Sequence, residues 1–135
     1  MKIILTLLLF LPGFIFSQKL VKNAHNYEAK IEYSVTSKSV DFIYDNAGLW
    51  IESEFPKRDM YMSIFYPKSK KISGIVYYKK YRFLLEINCY NGYFITKFND
   101  FFFKDKKLSE NRVDEVNQYL FLLAGRMQKF IRYNE

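Results

Sequence analysis

The side chains that most often carry out catalysis are scarce in this sequence, which has one histidine and one cysteine among its 135 residues. A catalytic nucleophile needs a base that a third group holds in place, and His25 is the one imidazole available. His25 lies in a polar stretch, whereas Cys89 falls on the apolar side of an alternating segment, where a thiol is buried and inert. One histidine and one cysteine also fall short of a zinc ligand set. We therefore expect no enzyme activity, no catalytic residues, no metal site and no cofactor.

Carboxylates recur in pairs at short spacing. The pairs are Glu28/Glu32, Asp41/Asp45 and Glu52/Glu54. Glycoside hydrolysis uses two carboxyl groups on either side of a cleft. Each pair here lies in a segment where polar and apolar residues alternate, which is typical of a solvated sheet face. A small hydrolase is an alternative only if His25 meets one of these pairs in a cleft.

The chain is basic, with a formal net charge of +7. In a β-meander, successive turns alternate between the two ends of the sheet. The predicted turns place five cations at one end: Lys38, Lys57, Arg58, Lys79 and Lys80. Lys104, Lys106 and Lys107, after the last long strand, could join them. Such a basic rim would attract phosphate-bearing or acidic partners, although lysines in turns also keep sheet edges soluble.

The C-terminal helix has more apolar surface than one sheet requires. Positions 113, 116, 120, 123, 127 and 131 form one apolar stripe. The segment 119–125 is apolar on all sides, so a second surface is expected to cover its outer side. The candidate partner interface is Tyr119, Phe121, Leu122, Gly125 and Arg126. A protein partner or self-association would explain it, as would a deep groove in a strongly twisted sheet. A glycine inside a helix is unfavourable, which indicates close packing or a kink.

A second function class is a carrier of an apolar small molecule or lipid. A curled sheet that a helix closes can enclose a pocket lined by aromatic side chains. The candidate lining is Trp50, Tyr61, Phe65 and Phe83. Nucleic acid is a weaker alternative, although aromatic and basic residues interleave at 77–83 as in base-stacking surfaces. The export signal described below argues against nucleic acid as a partner.

The elements that position these residues are mostly strands. Residues 27–36 alternate strictly, which predicts a half-buried antiparallel strand. Further strands are predicted at 40–45, 49–55, 60–66, 72–78, 81–90 and 93–98, with 101–103 as another strand or a plug of the core. Asn91-Gly92 predicts a hairpin with a type I′ turn, and Ser109 is the predicted N-cap of the final helix. The fold class is α+β: an antiparallel β-meander of about seven strands, which could curl, with one long C-terminal helix packed on it.

The N-terminus is typical of an exported protein. Met1-Lys2 precedes an apolar run at 3–16, and Ser17 is a small residue suited to cleavage. We expect residues 1–17 to be a cleaved signal peptide and 18–135 a single α+β domain. A retained anchor is the alternative, but the run is shorter than the roughly 20 residues of a spanning helix, so no transmembrane segment is expected in the mature chain. The sequence thus predicts an exported, non-enzymatic binding protein of the cell envelope, periplasmic or secreted, from a Gram-negative bacterium.

Overall fold

The computed structural model of the chain describes residues 21–22, 27–55 and 60–133. The elements in these ranges are, in chain order, β1 Val21–Lys22, β2 Tyr27–Ser34, α1 Val40–Glu54, β3 Met60–Tyr66, β4 Lys71–Tyr78, β5 Tyr81–Tyr90, β6 Tyr93–Phe103, β7 Lys106–Lys107, a short 3₁₀ helix Glu110–Arg112, and α2 Val113–Tyr133. The predicted signal peptide and His25 lie outside the described residues.

The strands form one antiparallel sheet. Its order is β1-β2-β6-β5-β4-β3, with β7 paired to β6. The described residues thus contribute seven strands, and the two outer ones, β1 and β3, do not pair to close the sheet. Strands β3 to β6 are a meander of neighbouring strands, and β2 pairs with β6 on the other side. The fold is α+β, and the prediction of an antiparallel sheet with a long C-terminal helix is confirmed.

Helix α1 is the main departure from the predicted elements. Strands were expected at 40–45 and 49–55, and both predictions are wrong, because one helix of 15 residues spans Val40–Glu54. The segment is rich in β-branched and aromatic residues, and Asp45-Asn46-Ala47-Gly48 has the composition of a turn. Its buried apolar residues nevertheless recur at helical spacing, at Ile43, Ala47, Trp50 and Ile51. Tertiary packing of that stripe outweighs the local preference for strand.

The start of α1 is held by side-chain caps from two places in the chain. The Ser39 hydroxyl accepts a hydrogen bond from the Phe42 amide at 3.2 Å, which is the usual role of an N-cap serine. The Asn91 side-chain oxygen accepts a second one from the Val40 amide at 2.8 Å. The β5–β6 hairpin therefore holds the first turn of α1 in place.

The turn of that hairpin differs from the type expected. Tyr90 and Tyr93 are paired, so the two-residue connection predicted at Asn91-Gly92 is present. A type I′ turn requires positive φ at both central residues, but only Gly92 has it, with φ of 82°. The type I′ assignment is therefore wrong. The backbone of Gly92 bonds to the segment before α1, donating to the Lys38 carbonyl (2.9 Å) and accepting from the Val35 amide (2.8 Å).

The hydrophobic core lies between one face of the sheet and both helices. Every second residue of β2 is buried, as is every second residue of β5 through Cys89. Residues 101–103, predicted as a strand or a plug, extend β6, and Phe101 is fully buried there. Fully buried side chains of the core come from both layers: Trp50, Phe83, Phe94, Phe98, Phe101, Ile43, Ile72, Leu85, Ile87, Leu120, Leu123 and Met127. The other sheet face carries half-buried and exposed residues.

Candidate binding surfaces

The outer surface of α2 carries two large apolar side chains that the core does not use. Phe121 and Leu122 are 58% and 62% exposed, whereas the flanking Leu120 and Leu123 are buried. The helix turns these two pairs to opposite sides, because its residues are spaced about 100° apart. We use the name outer surface of α2 for Phe121, Leu122, Gly125 and Arg126.

Tyr119, the fifth residue of the predicted interface, faces a different way. Its ring stacks on Tyr78, with centroids 3.6 Å apart and planes at 4°. It also meets the edge of Phe83 at 6.1 Å. Tyr119 thus joins α2 to β4 and β5 at the margin of the core. The structure does not bring it together with the exposed pair.

Gly125 and Arg126 are the other two residues of the outer surface of α2. A methyl group built on Gly125 would meet no atom within 4 Å, so the glycine makes no close approach to any described part of the chain. The close packing that its presence suggested is therefore absent among these residues. The Arg126 guanidinium contacts the Glu54 carboxylate at 3.0 Å and so links α2 to the end of α1.

The four residues expected to line an apolar pocket do not surround one space. Trp50 and Phe83 are 2% and 1% exposed and belong to the packed core. Phe83 lies against Phe98 and Phe101, with centroids 5.9 and 5.3 Å away. Phe65 is at the β3 edge and 41% exposed, and the side chain of Tyr61 lies outside the description. The pocket prediction is wrong for Trp50 and Phe83, because both side chains are buried in the packed core.

The predicted basic rim is divided between the two ends of the sheet. Lys79 and Lys80 form the turn between β4 and β5. Lys38 lies near the Asn91-Gly92 turn at the far end of β5, a strand about 30 Å long at the usual rise. Grouping Lys38 with the other two is therefore wrong, because α1 replaces two predicted strands and changes which turns share an end. Lys57 and Arg58 lie outside the described residues.

A cation-rich cavity of about 440 Å³ opens beside the β4–β5 turn. We call it the basic notch, and its lining is Tyr77, Lys79, Lys80, Tyr81, Arg82, Lys104 and Asp105. The Lys104 amide donates a hydrogen bond to the Lys80 carbonyl at 3.0 Å, which joins the β6–β7 turn to the β4–β5 turn. Lys104 thus joins Lys80, as the sequence suggested. Arg82 was missed as a member, because it enters the basic notch through the pairing of β5 with β4, in which it lies opposite Tyr77.

One wall of the basic notch is tied to α2 by a carboxylate. The Tyr81 hydroxyl donates to Glu115 Oε2 at 2.6 Å, and Lys79 Nζ lies 3.4 Å from Glu115 Oε1. Both contacts hold the pKa of the Glu115 carboxyl below its usual range. Tyr78 and Glu115 together raise the pKa of Lys79, so its charge persists in the folded chain.

The uncovered sheet face holds a second cavity, of about 490 Å³, lined by side chains of both charges. Glu86 lies at its base and contacts Lys71 at 3.2 Å and Lys97 at 3.8 Å. Burial opposes the charged form of Glu86, but its bonds from Lys71 and Asn88 outweigh burial and lower its pKa. Asn99 Oδ1, also in the lining, is buried without a hydrogen-bond partner.

The described groups that could serve catalysis are a buried thiol and carboxylates that form ion pairs. Cys89 is buried, and burial raises the pKa of its thiol to about 12. Asp41 and Glu54 sit at opposite ends of α1, paired with Lys70 and Arg126. In the ranges 21–22, 27–55 and 60–133, no three His, Cys, Asp or Glu side chains are grouped so that they could hold a metal ion.

Comparisons with known proteins bear on the fold. No family model matches the chain, and no curated protein matches it in sequence. A TBP-like protein from Parabacteroides distasonis ATCC 8503 has a similar structure, with a TM-score of 0.64 and 6% identity over 85% of this chain and 98% of that chain. A DUF4468 family protein from Bacteroides ovatus ATCC 8483 gives a TM-score of 0.58 and 11% identity, covering 81% and 90%. At these identities the likeness establishes a shared α+β fold.

No helix within the described residues has the length and apolar character needed to cross a membrane. Helix α2 has 21 residues, which is long enough to span a bilayer. Its charged side chains, Arg126, Lys129 and Arg132 among them, set it apart from a spanning segment.

Proposed function

We propose that this chain is an exported, non-enzymatic binding protein of the bacterial cell envelope that docks on a protein partner. We place the docking site on the outer surface of α2, and we assign the edge strand β3 a second contact with the partner. The observation that carries the proposal is the exposure of Phe121 and Leu122, side by side on a helix whose opposite face already fills the core. Adjacent exposed apolar residues of this size are a marker of interaction sites.

Strand β3 supports the part of the proposal that concerns the sheet. It is the last strand in the sheet order, so among the described strands its outer edge has no partner. Ile64, Phe65 and Tyr66 on this strand are 44%, 41% and 38% exposed. An unpaired edge with apolar side chains is a template for another chain, which can add a strand to the sheet.

The location in the proposal rests on the sequence of residues 1–17. A positive start, an apolar run and a small residue at position 17 favour export and cleavage before Gln18. The expected mature chain is periplasmic or secreted in a Gram-negative bacterium. The mass of the chain purified from its envelope or culture medium tests this directly, because cleavage leaves Gln18 as the first residue.

A carrier of an apolar ligand was the competing function, and it has less support. Trp50 and Phe83, two of its four predicted lining residues, are packed in the core. The two cavities described above have mixed or cationic linings rather than an apolar one. The binding protein is therefore the better account of the exposed apolar residues.

Site-specific photo-crosslinking tests the docking site in the bacterium that produces the chain. A photoreactive residue replaces Phe121 in one variant and Leu122 in another. Tyr133 is the matched control, because it is 68% exposed on the same helix, about 17 Å further along at 1.5 Å per residue. Irradiation should give a discrete covalent product from positions 121 and 122.

The identity of the product distinguishes the two kinds of protein partner. A product of twice the chain mass means that the partner is a second copy, and any other discrete mass means a different protein. If position 133 gives the same product in the same yield, the outer surface of α2 is not the docking site. If 121 and 122 give no product, the proposal fails.

A further inference from the structure

The basic notch has a fixed backbone frame. Two turns from different hairpins meet there, and the bond from the Lys104 amide to the Lys80 carbonyl holds them together. Lys79, Lys104 and Asp105 have φ of 53°, 49° and 63°, a region that residues with side chains adopt only at some cost.

The charges that line the basic notch do not balance. Glu115 already compensates Lys79, at 3.4 Å. Lys80, Arg82 and Lys104 remain, and Asp105 is the one carboxylate in the lining. Three cations against one carboxylate leave two positive charges that no carboxylate of the lining balances. A cavity of this kind raises the local concentration of anions.

Two of these cations are held by aromatic rings. The Arg82 guanidinium carbon lies 4.6 Å from the centroid of the Phe102 ring, and Lys104 Nζ lies 5.4 Å from that of Phe103. A guanidinium presents its N–H groups as a planar fork, which fits two oxygens of one oxyanion. Because the rings already restrict the side chains of Arg82 and Lys104, these side chains lose less conformational freedom when an anion binds.

We propose that the basic notch binds a phosphate monoester in its dianionic form. The two negative charges of the dianion balance the two uncompensated positive charges, whereas a carboxylate would leave one positive charge unbalanced. Its three terminal oxygens can accept bonds from Arg82 and from both lysines at once. The organic part of the ester lies against Tyr77, a lining residue that is 40% exposed. This inference goes beyond the proposed function, because it uses no residue of the outer surface of α2.

Calorimetric titration of the mature chain with phenyl phosphate tests the inference, with benzoate as the monoanionic control probe. Lys80→Glu and Lys104→Glu each reverse one charge in the basic notch. Lys68→Glu is the matched control, since Lys68 is an exposed lysine in the β3–β4 turn at the other end of the sheet. Either notch variant should weaken phenyl phosphate binding about tenfold or more, and the control should change it less than about twofold.

Vesicles separate a soluble ester from a lipid headgroup. Sedimentation with phosphatidylcholine vesicles, with and without phosphatidic acid, presents the same monoester on a membrane. If the chain binds phenyl phosphate and the notch variants do not, the result supports a soluble ligand. If the chain binds only the vesicles that contain phosphatidic acid, and the notch variants lose this binding, the result supports a ligand carried by a lipid. Equal binding of benzoate, equal loss in Lys68→Glu, or no binding to either phosphate probe overturns the proposal, provided circular dichroism shows each variant folded.

Discussion

Replacing Gly125 by alanine should stabilise the chain. Gly125 lies in the interior of α2, where glycine is about 1 kcal/mol less favourable than alanine. The added methyl group would meet no atom within 4 Å, so no steric cost offsets this gain. We therefore expect the free energy of unfolding to rise by about 1 kcal/mol, which corresponds to a melting temperature about 4 °C higher for a domain of this size.

Urea unfolding followed by tryptophan fluorescence measures this change. The chain has one tryptophan, and Trp50 is 2% exposed in the core, so its emission reports loss of the folded state. At the m-values usual for small domains, about 1 kcal/mol moves the midpoint by roughly 0.5 M urea. Light scattering on the same samples shows whether the oligomeric state has changed.

Gly48→Ala is the matched control for this prediction. Gly48 is in α1, so the gain in helix propensity is the same, but its added methyl group would lie 3.2 Å from Cε1 of the Phe65 ring. The ring must move by a few tenths of an ångström, which reduces the gain. A lower midpoint for Gly125→Ala, or a larger gain for Gly48→Ala, would refute the reasoning about space around these two glycines.

Three further predictions concern the core and the charges. Leu123→Ala should lower the free energy of unfolding by about 3 kcal/mol, because Leu123 is buried. Leu122→Ala should lower it by less than about 0.5 kcal/mol, because Leu122 is exposed. Equal losses in urea unfolding would contradict this. Cys89, with a thiol pKa of about 12, should react with a thiol reagent only when urea unfolds the chain. Because the pKa of Glu86 is lowered in the folded chain, its carboxylate stabilises the fold at pH values above 4.5, the ordinary carboxyl pKa. This stabilisation is lost as the pH falls through the pKa of Glu86 in the folded chain. Glu86→Gln should therefore flatten the acid decline in urea midpoint, and an unchanged decline would disprove the assignment.

Periodicity predicted the strands whose side chains alternate cleanly. Strand β2 and the β5–β6 hairpin were expected from alternation and from Asn91-Gly92, and both are present. Helix α1 was missed because Val, Ile, aromatic and turn-forming residues fill its sequence, and these favour strands and turns locally. The signal that could have identified it was Ser39 followed by apolar residues at 43, 47, 50 and 51.

The same error explains what was missed in the candidate sites. The end of the sheet at which each turn lies depends on how many strands come before it. Counting α1 as two strands put Lys38 beside Lys79, although a full strand length separates them. Phe121 and Leu122 were predicted correctly as surplus to the core, because helical phase depends only on local spacing. Arg82 needed the register of β4 with β5, which composition does not provide.

The β5–β6 turn also determines where this chain can be cut or extended. A two-residue turn at the tip of two long strands is ordinarily a tolerant place for a tag, a label or new termini. Here the turn holds the segment before α1 through the Gly92 backbone and the cap of α1 through the Asn91 side chain. An insertion at this turn would disturb the hairpin, the end of β2 and the first turn of the helix together. The exposed residues 67–69 between β3 and β4 are the better place for a circular permutation or a fluorescent insertion.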